Sequence, residues 1–181
     1  MLRLHVPSPE EFTIRQAWLL DPEMMAYNAG WPLSYAGYNP ATGCIDWPEG
    51  AWPAFEARLA RPASEQGYYF VQEDETSEFL GHVHYELHSD GTAHIGLNVI
   101  PARRGTGLGM RFMNHLLERI WQDTEAAAVI NEFEDGRLDA VRLHRRCGFV
   151  PEPTTSSAHG RPTRAWRLLR SDSQYGSRLA A

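Results

Sequence analysis

The sequence predicts an α/β (α+β) protein, a mixed central sheet flanked by helices on both faces. Three observations point there. Runs rich in β-branched and aromatic residues alternate along the chain with runs of helical period. Ser89-Asp90-Gly91 is a turn signal between two strand-like runs, which makes part of the sheet antiparallel. Finally, "NVIPARRGTGLGMRF", Asn98 to Phe112, leads from an apolar stretch into three glycines at alternate positions and then into a helix.

Taken in order, Leu2 to Val6 reads as a first strand. Ser8-Pro9-Glu10-Glu11 is a capping box with proline at the first helical position, so a helix starts there and runs toward Leu20. Asp21-Pro22 restarts or bends it. Residues 30–50, "GWPLSYAGYNPATGCIDWPEG", are dense in glycine, proline and aromatics and read as a long loop. A second helix is expected from Pro48 to Arg61, then strands at Tyr68 to Gln72 and Phe79 to His88, with the chain returning as a strand from Ala93 to Ile100. Leu108, Phe112, Leu116 and Ile120 fall at helical spacing after the glycines. Ala127 to Phe133 is a strand, Asp135 to Cys147 a helix and Arg164 to Leu169 the last strand, giving the order βααβββαβαβ without internal repeat. Residues 1–170 are expected to form one domain and 171–181 a flexible C-terminal tail.

Composition narrows the function classes. The 181 residues are 43% hydrophobic, enough for one full core. No opening run has the make-up of a secretory leader, and no stretch approaches the roughly 18 apolar residues of a membrane span, so a cytoplasmic protein is expected. Cys44 and Cys147 lack metal or C-x-x-C spacing and suit a reducing compartment. The net charge of −6 argues against a nucleic-acid partner. It also hides an asymmetry. Residues 1–100 hold 4 arginines against 14 acids, and residues 101–181 hold 13 arginines against 9 acids. A basic half suits a polyanionic cofactor, and an acidic half suits a cationic partner, unless surface charges merely segregate by chance.

Gly105, Gly107 and Gly109 leave the backbone without side chains, so its N–H groups can approach an anion that any Cβ would keep away. The helix that follows adds unpaired N–H donors and a partial positive charge, which together make a pyrophosphate seat. A Walker A loop ends in Gly-Lys-Ser/Thr, and this chain contains no lysine. A Rossmann turn needs G-x-G-x-x-G, but Met110 sits where its third glycine belongs. From the loop alone, a ligand-free glycine turn stays open.

A strand, a proline and then Arg104-Gly105-Thr106-Gly107-Leu108-Gly109 closely resemble the R/Q-x-x-G-x-G/A loop of the GNAT superfamily of acetyl-CoA-dependent N-acetyltransferases. "DAVRLHRRCGFV", Asp139 to Val150, is similar to the helix of those enzymes that ends in L-Y-x-x-x-G-F. The resemblance covers residues 67–169 well and residues 1–30 by element order. It implies a sheet with one splayed strand pair, and a site in which backbone N–H groups of Gly105, Thr106, Gly107, Leu108, Gly109 and Met110 bind the CoA pyrophosphate while Arg104 sets the loop. It further implies that the strand Leu97-Asn98-Val99-Ile100 pairs through its backbone with the pantetheine arm, with the Val99 N–H facing the thioester oxygen. Acetyl-CoA is the implied co-substrate and an amine-bearing acceptor the implied partner, a small cationic amine in first place and a protein N-terminus as another option. A homodimer is left open.

Amide formation needs an uncharged amine, so a base is useful, and an acid that protonates the departing thiolate helps on the other side. In many relatives that acid is the tyrosine of L-Y-x-x-x-G-F; here His144 stands in its place, either as acid or as a packing residue. For the base, alternation along "VINEFE" puts Glu132 and Glu134 on one face with Asn131 and Phe133 on the other. Ribosomal-protein acetyltransferases of this superfamily carry a glutamate on this strand twelve residues before the tyrosine, and Glu132 stands twelve before His144. Glu132 is thus the expected base, against an ordinary exposed carboxylate. Arg137 occupies a position where relatives often have asparagine. "GHVHYELH" sets His82, His84, Glu86 and His88 on one face, and the reading calls for no metal there, because Val83, Tyr85 and Leu87 explain the strand as core-facing. Its histidine face is expected to line the acceptor side of the cleft. Tyr27, Trp31, Tyr35, Tyr38 and Trp47 form a lid or simply anchor the long loop. The rival class is a catalytically silent acetyl-CoA-binding module.

Overall fold

The computed structural model describes residues 1–156 and 162–173. Strand β1 (Leu2–His5) leads into a 3-10 turn at Pro9–Glu11, where the capping box forms as the pattern predicts, with the Ser8 N–H donating to Glu11 Oε2 at 2.8 Å. Helix α1 spans Phe12–Leu20. Asp21 then accepts hydrogen bonds from the N–H groups of Glu23 and Met24, so a new helix, α2 (Pro22–Met25), begins. Residues 30–48 hold one isolated bridge, Tyr38 to Ile45, before α3 (Trp52–Leu59). Strands β2 (Gln66–Glu73), β3 (Phe79–Leu87) and β4 (Thr92–Val99) form an antiparallel meander. Helix α4 (Leu108–Asp123), β5 (Ala128–Phe133) and α5 (Leu138–Arg146) follow.

The chain then makes a strand that sequence patterning does not predict, β6 (Val150–Ser156), before β7 (Thr163–Leu169). Pro151 and Pro153 argue against a strand because each lacks an N–H. The sheet order β1-β2-β3-β4-β5-β7-β6 puts β6 at the edge, where only one side must pair and prolines are tolerated. Residues 171–173, expected in the flexible tail, are packed against the domain. Residues 170–172 form a 3-10 turn, and Ser173 is buried, accepting a hydrogen bond from Trp121 Nε1 at 2.8 Å; residues 174–181 lie outside the described residues.

Strand alternation sends side chains into two layers. Tyr69 and Val71 of β2 join the main core against Phe112, Leu116 and Ile120 of α4, whereas Tyr68 and Phe70 face the other way onto Phe12 of α1 and Phe55 of α3. Helices thus cover both faces. The feature that creates a site is the short pairing of β4 with β5. They run parallel and touch only at Thr92 to Ala128, Ala93 to Val129 and His94 to Ile130. Beyond His94, β4 stays on β3 up to Val99 while β5 stays on β7 up to Phe133, so the two strands part and leave a gap. No helix among the described residues is long and apolar enough to cross a membrane.

Candidate active site

The gap opens into a cavity of about 650 Å³ that runs between β4 and β5 to the start of α4. At one end lies the glycine loop. Gly105 and Gly107 have φ of +76° and +85°, a conformation that disfavours side chains, and a Cβ at either would meet no heavy atom within 4 Å. The open space is what an anion would fill. Helix α4 starts at Leu108; the Met110 N–H donates to the Gly107 carbonyl at 3.2 Å, and the N–H groups of Leu108 and Gly109 at the very start add the partial positive charge of the helix end. Arg103, Arg142 and Arg146 line the same end. The residues present fit a polyanionic, phosphate-bearing ligand.

Arg104 is turned back into the protein. Its Nε donates to the Val99 carbonyl at 3.1 Å, and its two terminal nitrogens donate to the Glu23 carbonyl and to Asn98 Oδ1. It therefore ties loop, strand and α2 together. Of the ten residues expected at the cofactor, Leu97, Val99, Arg104, Gly105, Gly107, Gly109 and Met110 line the cavity. Ile100, Thr106 and Leu108 do not: Ile100 and Leu108 pack into the cores, and the Thr106 hydroxyl donates to the Arg103 carbonyl at 2.7 Å. The Ile100 N–H donates to the Leu80 carbonyl on the β3 side, so by alternation the N–H groups of Val99 and Leu97 point into the gap.

Across the gap, Glu132 and Asn131 sit on opposite faces of β5, as alternation predicts. Both line the cavity, and Glu132 accepts a hydrogen bond from the Thr163 hydroxyl. His144 does not stand as an acid should. It is 2% exposed; its Nδ1 lies 2.8 Å from the Ala140 carbonyl and its Nε2 lies 3.0 Å from Asn131 Nδ2. Since a carbonyl accepts and an amide nitrogen donates, the ring is the neutral Nδ1–H tautomer, with both nitrogens engaged. Burial pushes its pKa down to about 4, so the imidazolium needed to hand over a proton is scarce at neutral pH. The expected acid role conflicts with this placement.

The side of the cavity expected to face the acceptor is a wall of rings. His82 and His84 stack on each other at 6.2 Å and on Tyr68 at 5.4 and 6.1 Å. Gly96 gives His84 its room, since a Cβ there would come within 2.4 Å of the imidazole Nε2. Desolvation drives His82 down to about 3 and His84 to about 4, so both are neutral. Tyr27, Asn28 and Trp31 close the opposite rim, and the Arg137 guanidinium stands 5.2 Å from the Tyr27 ring. The other aromatics of the long loop anchor it: the Tyr38 hydroxyl donates to the carbonyls of Asn28 and Trp31, and Trp47 packs on Phe12 and Phe55. Tyr35 is exposed. Asn131 and Gly96 are site residues that sequence reasoning passes over, because only the register of β3, β4 and β5 brings them to the cavity.

A glycine loop at a helix start, joined by one cavity to a gap between splayed strands, has the shape and chemistry to fit a long phosphate-bearing ligand beside an open strand. The chain belongs to the acetyltransferase (GNAT) family, which matches over residues 15–149, and it is an enzyme that uses acetyl-CoA as co-substrate. The fold is similar to that of spermidine N-acetyltransferase from Vibrio cholerae in complex with CoA and spermine, at 14% identity and a TM-score of 0.75 over 94% of this chain and 96% of that one. An aminoglycoside acetyltransferase in complex with coenzyme A and kanamycin is 16% identical, with a TM-score of 0.70 over 100% of both chains. The ribosomal alpha-N-protein acetyltransferase RimL in complex with coenzyme A is 11% identical, with a TM-score of 0.73 over 93% of each. No curated protein matches the sequence.

Proposed function

We propose that the protein transfers the acetyl group of acetyl-CoA directly to a primary amine bound beside it. The observation that carries this is the single cavity joining the glycine loop to the β4–β5 gap and to an acceptor wall beyond it. The backbone of Gly105 to Met110 would hold the pyrophosphate, and the inward N–H groups of Leu97 and Val99 would pair with the extended arm. The co-substrate supplies a thioester carbonyl that an uncharged amine can attack. The Val99 N–H then stabilises negative charge on that oxygen. Glu132 takes the proton of the arriving ammonium; after attack the C–S bond breaks, the CoA thiolate leaves, and the proton lost by the new amide nitrogen reaches the thiolate through solvent. His144 serves as a positioning residue: locked by Ala140, it accepts from Asn131 and fixes that amide against the cavity.

The small cationic amine favoured by charge asymmetry loses its support here, because none of the 14 acids in residues 1–100 lines the cavity. The family's chemistry leaves other amines, including a protein N-terminus, as candidates. Release of free CoA thiol in the presence of an amine panel tests the proposal. Tight CoA binding with no thiol release across the panel would point instead to a silent acetyl-CoA-binding module.

A further inference from the structure

We propose that Arg137 and Tyr27 are positioning residues that close a strap over acetyl-CoA and hold its extended arm in the β4–β5 gap. This rests on the cavity being the acetyl-CoA site and concerns how the ligand enters and stays there.

The two residues belong to opposite lips of the gap. Tyr27 lies in the 3-10 turn Ala26–Asn28 directly after α2, and α2 is tied to the β4 side: Asn98 Nδ2 donates to the Met24 carbonyl at 3.0 Å, Arg104 donates to the Glu23 carbonyl, and Ile100 packs on the cluster of Met24 and Met25. Arg137 belongs to the β5 side. Its N–H donates to the Glu134 carbonyl at 3.0 Å and its carbonyl accepts from the Val141 N–H at 3.0 Å, which fixes it between the end of β5 and the start of α5. Its guanidinium stands between one ring of each lip, 5.2 Å from Tyr27 and 5.9 Å from Phe133, the last residue of β5. Both distances fall within the range of about 6 Å over which a cation is attracted to a ring face.

The gap is therefore bounded twice. Its strands touch from Thr92 to His94 at one end, and past their other ends the two lips meet again through Arg137 and Tyr27. Both residues line the cavity and both are exposed, whereas Val99 and Phe133 at the strand ends are buried, so the contact lies on the solvent side of the cavity as a roof. A long ligand that reaches from the glycine loop into the gap runs beneath it. Entry and exit then require the contact to open, and its closure restrains the arm without touching the reacting atoms. The asparagine often found at this position in relatives has no cation to give to a ring.

Surface plasmon resonance on the immobilised protein gives the association and dissociation rates of acetyl-CoA, and calorimetry gives its Kd. Arg137→Met and Tyr27→Leu should each release acetyl-CoA about fivefold faster, the scale of one partly exposed cation–ring contact, and should admit it faster by a similar factor, so that Kd moves by less than about twofold. Tyr27→Phe keeps the ring and should keep the slow rates. The double variant should be no faster than the faster single one, because one contact is lost only once. Circular dichroism checks each fold. An unchanged dissociation rate in either single variant overturns the proposal, as does Tyr27→Phe behaving like Tyr27→Leu. A Kd raised in Arg137→Met alone, with association unaltered, also overturns it, since Arg137 would then act on the ligand without Tyr27. None of these readouts needs acetyl transfer, so the strap is decided even where no thiol is released; failure of the unaltered protein to bind acetyl-CoA overturns the cavity assignment and the strap together.

Discussion

Acidification from about pH 7.5 to about pH 5.5 should remove up to about 4 kcal/mol of folding stability, because the buried His144 and the half-buried, cavity-lining His82 and His84 are held neutral. His82 is driven to about 3, and His84 and His144 to about 4, in each case chiefly by loss of solvent. Each folded pKa lies below the unfolded value of about 6.5. The unfolded chain therefore binds these protons first, and stability that is full above about 6.5 declines as pH falls toward the folded values. At about pH 5.5 an unfolded histidine is about 90% protonated while the folded one is scarcely so, a difference of roughly 1.4 kcal/mol per ring. Unfolded carboxylates titrate near about 4, so this window belongs to the imidazoles. Denaturant titrations at the two pH values read the difference directly. His84→Gln should remove about a third of the pH dependence while leaving its direction. A fall below about 1 kcal/mol in the unaltered protein would refute the reasoning, since it would mean that the rings titrate with near-normal pKa values and are not enclosed.

Gly107→Glu puts a strained residue and a negative charge at the anion seat, so CoA affinity should fall at least about 100-fold with the fold intact; unchanged affinity by calorimetry removes the assignment of the loop. Glu132→Gln should lower kcat by roughly 10²-fold and flatten the acid limb of its pH profile, leaving CoA affinity alone; a normal profile would place the base elsewhere. His144→Phe should lower kcat modestly without moving the alkaline limb of the profile, as suits a positioning residue; an alkaline limb that shifts in this variant would restore the acid role to His144.

How much of this was legible in the sequence depends on the residue. The capping box at Ser8 and Glu11, the turn at Ser89-Asp90-Gly91 and the passage from the glycines into a helix are local, and local rules read them correctly. The face of Glu132 followed from strand alternation. His144 could have been read better: Ala140, Val141 and Cys147 place it on the apolar stripe of α5, a sign of burial that its position in a family motif outweighed. Strand β6 was hidden because proline is disfavoured in strands generally, and edge position is a property of the assembled sheet. The fourteen acids of residues 1–100 show the same limit, since none of them lines the cavity. Net charge counts residues, but a pocket responds only to those that face it, and which ones face it is decided by packing.

The parting of β4 from β5 gives the protein an edge in its interior. Sheet edges are ordinarily places where any passing chain can add itself, and proteins blunt them on the outside, as the prolines of β6 do here. Behind His94 an open row of backbone groups is instead set between two strands that are themselves secured on their far sides. The row offers an extended, amide-bearing ligand the backbone pairing that a guest strand would take, inside the sheet rather than at its rim.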